Sequence, residues 1–133
     1  MRFILVPGKR PLSAATPAIV LQDDNVDLVV GASGGTKIIS ATFQTIVDVV
    51  DWNMDTMVAV KDARFHDQLY PDSLQLEYSF NQAIRRGLTE IGHPVDWLPL
   101  GVSYSSVQAV HNGTDGFIYG ASDPRTLGQA AAL

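Results

Sequence analysis

The stretch VVGASGGTKII, Val29 to Ile39, passes from apolar β-branched residues through a small-residue turn into a helical pattern. A strand, a glycine turn and a helix start aim free backbone N–H groups and the positive end of a helix dipole at one point. That arrangement suits a phosphate, a carboxylate or a transient oxyanion. Two nucleotide-binding patterns fail here. A P-loop counted from Gly31 finds Thr36 in place of the second glycine and Ile38 in place of the magnesium-binding hydroxyl. A dinucleotide fingerprint from Gly31 needs glycines where Ser33 and Thr36 stand. At this level an anion site and a ligand-free Gly-rich connection both stay open.

The other reactive side chains read as structural. His66 and Asp67 are adjacent, but neighbours in an extended chain point apart, and no serine is placed by the sequence to complete a triad. A structural or exposed His66 is the expectation. His93 and His111 lack metal-ligand spacing and a cysteine partner, so neither a metal nor another cofactor is expected. Asp23, Asp24 and Asp27 surround a turn, where solvated carboxylates are common. Asn112-Gly-Thr matches a glycan acceptor, but Asn-Gly is also hairpin chemistry, and the turn is the favoured reading.

With 133 residues and 46% hydrophobic content, the chain can form one ordinary core or part of a larger one. A net charge of -5 and paired basics only at Lys9-Arg10 and Arg85-Arg86 argue against a nucleic-acid partner. No cysteine means no disulfide framework and no thiolate nucleophile. No segment reaches the roughly 18 apolar residues of a membrane span.

The elements that would position the turn alternate between short strands and helices. Ala18 to Leu21 and Val26 to Val30 read as a hairpin. Ile39, Phe43, Ile46, Val47 and Val50 form one apolar stripe of a helix, predicted to lie on a sheet or another helix. Asp55 is a candidate N-cap for a helix from Thr56 to about Asp62, with Met57, Val58 and Val60 partly buried and the methionines packing. A strand is predicted over Leu74 to Glu77. Asn81 then caps a helix carrying Ile84, Leu88 and Ile91, ended by Gly92. Val107 to Val110 and Phe117 to Tyr119 read as a second hairpin. The sum is an α+β fold with largely antiparallel sheets.

Four blocks, PGKRPLSAATP (Pro7 to Pro17), VVGASGGTKI (Val29 to Ile38), DARFHDQLYPD (Asp62 to Asp72) and IYGASDPR (Ile118 to Arg125), occur in this order along nearly the whole chain. Together they resemble the C-terminal part of the small subunit of the gamma-glutamyltranspeptidase family. The resemblance implies an N-terminal nucleophile hydrolase fold of the αββα type, present here as a single domain, residues 1–133, or as the C-terminal portion of that subunit. It implies a precursor that cleaves itself, after which the new N-terminal threonine of the small subunit attacks a γ-glutamyl carbonyl. Water or an acceptor amino acid or peptide then resolves the γ-glutamyl enzyme, and glutathione is the typical donor.

Position by position, the resemblance assigns Gly34 and Gly35 as backbone donors of the oxyanion hole. It assigns Ser13 to the substrate α-carboxylate, where Ala14 replaces the second serine of the family motif. Losing that hydroxyl is expected to weaken the carboxylate site by roughly 1 kcal/mol or somewhat more. The family's threonine lies upstream of these blocks, and an internal Thr16, Thr36 or Thr42 lacks the free α-amine that serves as its base. This chain alone is therefore expected not to perform the transfer. Two readings follow: a section of an active enzyme completed by the large subunit or an upstream segment, or an inactive light-chain-like fragment acting as an interaction module. A phosphate-binding domain using the glycine turn is a remote third. Without the large subunit the Ile39 to Val50 stripe is exposed or repacked, so a partner or self-association is expected. The resemblance also points to an extracellular, cell-surface or periplasmic location.

Overall fold

The computed structural model describes residues 6–98 and 105–131. Strand β1 (Ala18–Gln22) turns back into β2 (Asn25–Ser33), then follow α1 (Lys37–Val50), α2 (Thr56–Lys61), β3 (Phe65–His66), β4 (Leu74–Leu76), α3 (Gln82–Glu90), β5 (Val95–Trp97), β6 (Ser106–Asn112) and β7 (Ile118–Ser122). β1, β2, β6 and β7 form one antiparallel sheet in that spatial order, and β3, β4 and β5 form a second, mixed sheet.

Both expected hairpins form. Asp23 and Asp24 sit at φ 49° and 64°, so both turn residues between β1 and β2 are left-handed, which matches the strands' twist. The β6–β7 connection is longer than an Asn-Gly turn. Asn112 ends β6, and the Gly113 N–H donates to Phe117 O at 2.8 Å across the loop. Helix caps also follow local chemistry. One Asp55 carboxylate oxygen accepts from the Met57 and Val58 N–H groups, and the Asn81 amide oxygen accepts from Ala83 and Ile84.

The core lies between the four-stranded sheet and the helices α1 and α2. Leu28 and Val30 of β2, Val107 and Ala109 of β6 and Ala121 of β7 meet Ala41, Val49, Ala59 and Val60. Two packing expectations are corrected. α1 buries Ala41, Thr42, Thr45 and Val49, a face more than a third of a turn from the predicted stripe, about 130° at 100° per residue. Of that stripe only Ile46 packs against the core and Val47 is half-buried, whereas Ile39, Phe43 and Val50 are exposed, Phe43 at 59%. The small side chains of the buried face let the helix approach the sheet closely, so the bulky ones turn outward. In α2, Val60 is fully buried, whereas Met57 and Val58 are exposed.

The opposite face of the four-stranded sheet carries an apolar row. Ile19 pairs with Val29, and Val29 with Val110, and all three are exposed.

Candidate functional site

The antiparallel register gathers distant segments at one end of the sheet. Ala18 pairs with Val30, so the chain entering β1 from Ser13 lies at the end where β2 runs out into Gly34. Ser33 pairs with Ser106, and Gln108 with Ser122, which brings the start of β6 and the end of β7 to the same end.

Gly34 (φ 133°) and Gly35 (φ 65°) both have backbone conformations that side chains disfavour. They lead into α1, whose N-cap residue Thr36 makes no side-chain cap and whose first turn holds no acid. Neither glycine N–H is donated to another described residue. A helix start with open donors and no carboxylate carries an uncompensated positive end.

Ser13 is exposed, and its Oγ accepts the Ala15 N–H at 3.0 Å. Thr16 Oγ1 donates to the Ala14 carbonyl. No hydrogen bond among the described residues joins Ser13 to the glycines, so the fold brings the two segments to one end without linking them.

Behind the glycine turn lies a buried ionic network that the motif reading did not single out. Arg64 Nη2 lies 2.9 Å from Asp123 Oδ2, with side-chain exposures of 2% and 0%. Arg64 Nη1 donates to Ser105 O at 2.8 Å, and Nη2 also donates to Val60 O. Asp123 accepts the Val107 N–H at 2.8 Å and the Arg125 N–H at 2.9 Å. Arg125 in turn holds Glu77 through Nε at 2.7 Å and through Nη2. Burial alone raises the Asp123 carboxyl, but the two backbone donors and the two guanidiniums outweigh it and hold the group below its ordinary value. Burial, followed by the Arg125 charge, lowers Arg64 against the pull of Asp123 and Glu77. Arg64, Asp123 and Arg125 lie inside two of the quoted blocks, DARFHDQLYPD and IYGASDPR, and Glu77 lies outside all four; only tertiary structure shows that they touch.

Two of the three histidines are held by side-chain hydrogen bonds. His66 is buried, with Nδ1 2.8 Å from Ser40 Oγ and Nε2 2.9 Å from Gln68 Oε1. Gln68 Nε2 in turn donates to Tyr70 O. A serine thus does meet His66, contrary to the expectation from spacing. It lies within α1, three residues after Lys37, whose carbonyl it also binds. Asp67 points away and accepts the Leu69 N–H. At the far end of the sheet His111 Nδ1 is 3.2 Å from Thr56 Oγ1, and its Nε2 is 3.6 Å from Asp27 Oδ1. Asp27 is therefore paired and largely buried, a correction to its reading as a solvated acid; Asp23 and Asp24 are turn residues on the exposed tip. His93 is exposed.

A model of the gamma-glutamyltranspeptidase family matches residues 3–133. The glutathione hydrolase proenzyme 1 of Schizosaccharomyces pombe is 38% identical over 128 residues, covering 96% of this chain and 20% of that protein. The glutathione hydrolase proenzyme of Escherichia coli is 37% identical over 126 residues, covering 95% and 21%. A crystallised variant of Helicobacter pylori gamma-glutamyltranspeptidase superposes with a TM-score of 0.81 at 37% identity, over 92% of this chain and 66% of that one. The chain thus spans about a fifth of the length of the curated relatives it matches.

Proposed function

This chain belongs to the gamma-glutamyltranspeptidase family, and from that premise we propose that it is the C-terminal portion of a γ-glutamyl-transferring and hydrolysing enzyme, to which it supplies the oxyanion hole. The donors are the N–H groups of Gly34 and Gly35. When a nucleophile attacks the γ-glutamyl carbonyl, negative charge collects on the carbonyl oxygen. Two donors fixed beforehand at the positive end of α1 stabilise that charge without reorganising. The observation that carries the reading is the pair of positive-φ glycines whose N–H groups are undonated at an uncapped helix start. Ser13 contributes to the α-carboxylate site from the segment entering β1. The attacking hydroxyl and the contacts to the substrate amine come from residues outside these 133.

Two surfaces support completion by further polypeptide. The row Ile19, Val29 and Val110 leaves one sheet face apolar and open, as a sandwich layer awaiting its second sheet would be. The outer stripe of α1 is a second such face. We assign both to contacts with the rest of the precursor, whose large subunit is the partner.

The test is Gly34→Val in the full-length precursor, assayed by release of a chromogenic amine from a γ-glutamyl anilide. Valine keeps the backbone N–H but disfavours φ 133°, so the Ser33–Gly34 peptide turns and its N–H no longer faces the carbonyl oxygen; loss of turnover is expected, up to the about 100- to 1,000-fold that an oxyanion donor is worth. Wild-type turnover in that variant overturns the assignment.

A further inference from the structure

We infer that Ser105 is a positioning residue that aims the Gly34 N–H; the inference rests on the oxyanion reading above. Ser105 Oγ donates to the Ser33 carbonyl at 2.5 Å, across a sequence separation of 72 residues. That carbonyl and the Gly34 N–H belong to one peptide unit. The unit is planar, with C=O and N–H pointing in opposite directions, so a bond that holds the oxygen on one side fixes where the N–H points on the other.

The clamp sits where the backbone is least constrained by its own chemistry. Gly34 has φ 133°, a region in which glycine alone moves freely, and an unclamped Ser33–Gly34 peptide could rotate with little steric resistance. A donor that wanders must be reordered in each catalytic cycle; a clamped one is ready beforehand. A hydrogen bond accepted by the carbonyl also polarises the peptide and strengthens its N–H as a donor.

Ser105 is itself immobilised. It is 2% exposed, and its own carbonyl accepts from Arg64 Nη1 at 2.8 Å. Arg64 is anchored on Asp123, which also accepts the Val107 N–H two residues further along the chain. The buried ions therefore form the fixed end of a relay that runs Asp123, Arg64, Ser105, Ser33 and terminates at the Gly34 N–H. Ser105 touches no reacting atom and acts only through the peptide it holds.

The experiment uses the full-length enzyme carrying Ser105→Ala, Ser105→Thr or Ser105→Cys, with Gly34→Val alongside. Threonine keeps the hydroxyl, cysteine offers a weaker donor and alanine offers none. The expected order of kcat is wild type and Ser105→Thr, then Ser105→Cys, then Ser105→Ala, with the alanine variant down roughly 10- to 100-fold, less than the loss of a whole donor. KM is expected to stay within about twofold, as for an interaction made only in the transition state. A γ-boronate analogue of glutamate, which forms a tetrahedral adduct with the nucleophile, should lose affinity in parallel with kcat; a planar γ-amide competitor should not. A merely structural serine would lower the unfolding midpoint without separating these two inhibitors. If Ser105→Ala blocks maturation, the Ser105→Cys and Ser105→Thr enzymes still test the order. Wild-type kcat and boronate affinity in Ser105→Ala, or in Ser105→Cys where alanine fails to mature, while Gly34→Val is inactive, overturns the clamp and leaves the oxyanion reading standing. An active Gly34→Val enzyme overturns the reading itself.

Discussion

The Arg64 guanidinium and the Asp123 carboxylate meet at 2.9 Å in the interior, at 2% and 0% exposure. Two charges are held there without water because each is also hydrogen-bonded. Arg64 binds the carbonyls of Val60 and Ser105, and Asp123 binds the N–H groups of Val107 and Arg125. The pair joins the end of β7 to the loop before β3 and, through Ser105, to the end of β2.

Removing one partner leaves the other charged, buried and unpaired. Arg64→Met or Asp123→Leu alone is expected to destabilise the full-length protein by roughly 3–5 kcal/mol. Arg64→Lys is expected to recover only part of this, since one ammonium cannot reproduce the fork that reaches Asp123, Val60 and Ser105. Denaturant unfolding of the three variants checks it, and a lysine variant of full stability would contradict the geometric argument.

Asp123 sets a direction for the pH dependence. Its carboxyl is held below the ordinary value in the folded protein, so the folded state binds its proton less readily than the unfolded chain does. The stability it contributes is fully present above the unfolded value near pH 4 and is lost as pH falls through the lower folded value. Thermal midpoints measured from pH 6 down to pH 2 are expected to fall less steeply for Asp123→Asn than for the wild type. Equal slopes would contradict the assignment.

Gly35 separates backbone strain from crowding. A Cβ there meets nothing within 4 Å, so the cost of Gly35→Ala comes from φ 65° alone, about 1–2 kcal/mol. Asparagine tolerates this region better than alanine, so Gly35→Asn is expected to be more stable than Gly35→Ala and to keep more turnover. Unfolding midpoints together with anilide turnover test the order; the reverse order would mean that the strain is not what matters.

Phe43 reports on the outer face of α1. If the rest of the precursor covers it, Phe43→Asp is expected to lower the stability of the full-length protein by roughly 2 kcal/mol or more, the scale of burying a large apolar side chain. An unchanged unfolding midpoint would mean that this face stays in water.

Local chemistry was legible in the sequence because it acts over a few residues. Asp55 and Asn81 accept from N–H groups two and three positions ahead, as their spacing before each helix indicates. The β1–β2 and β6–β7 hairpins, the helix after the glycines and the glycine turn itself were readable for the same reason. The resemblance of four ordered blocks identified the family. The short strands β3 and β5 were not readable, because two or three residues carry no periodicity and their strand character exists only in pairing with β4.

Tertiary structure decided what depends on distant surfaces competing for burial. α1 is apolar on more than one side, and the periodic stripe through Ile39 and Phe43 pointed to the wrong one; the small-residue face through Ala41 and Thr45 won because it fits closest to the sheet. The placement of β6 beside β2 likewise has no local signal, yet it brings Ser105 to Ser33 and sets the direction of the Gly34 N–H. The sequence determined that two glycines stand before a helix. Where the Gly34 N–H points is settled by a peptide plane clamped from 72 residues away, because a glycine backbone has no side chain to settle it locally.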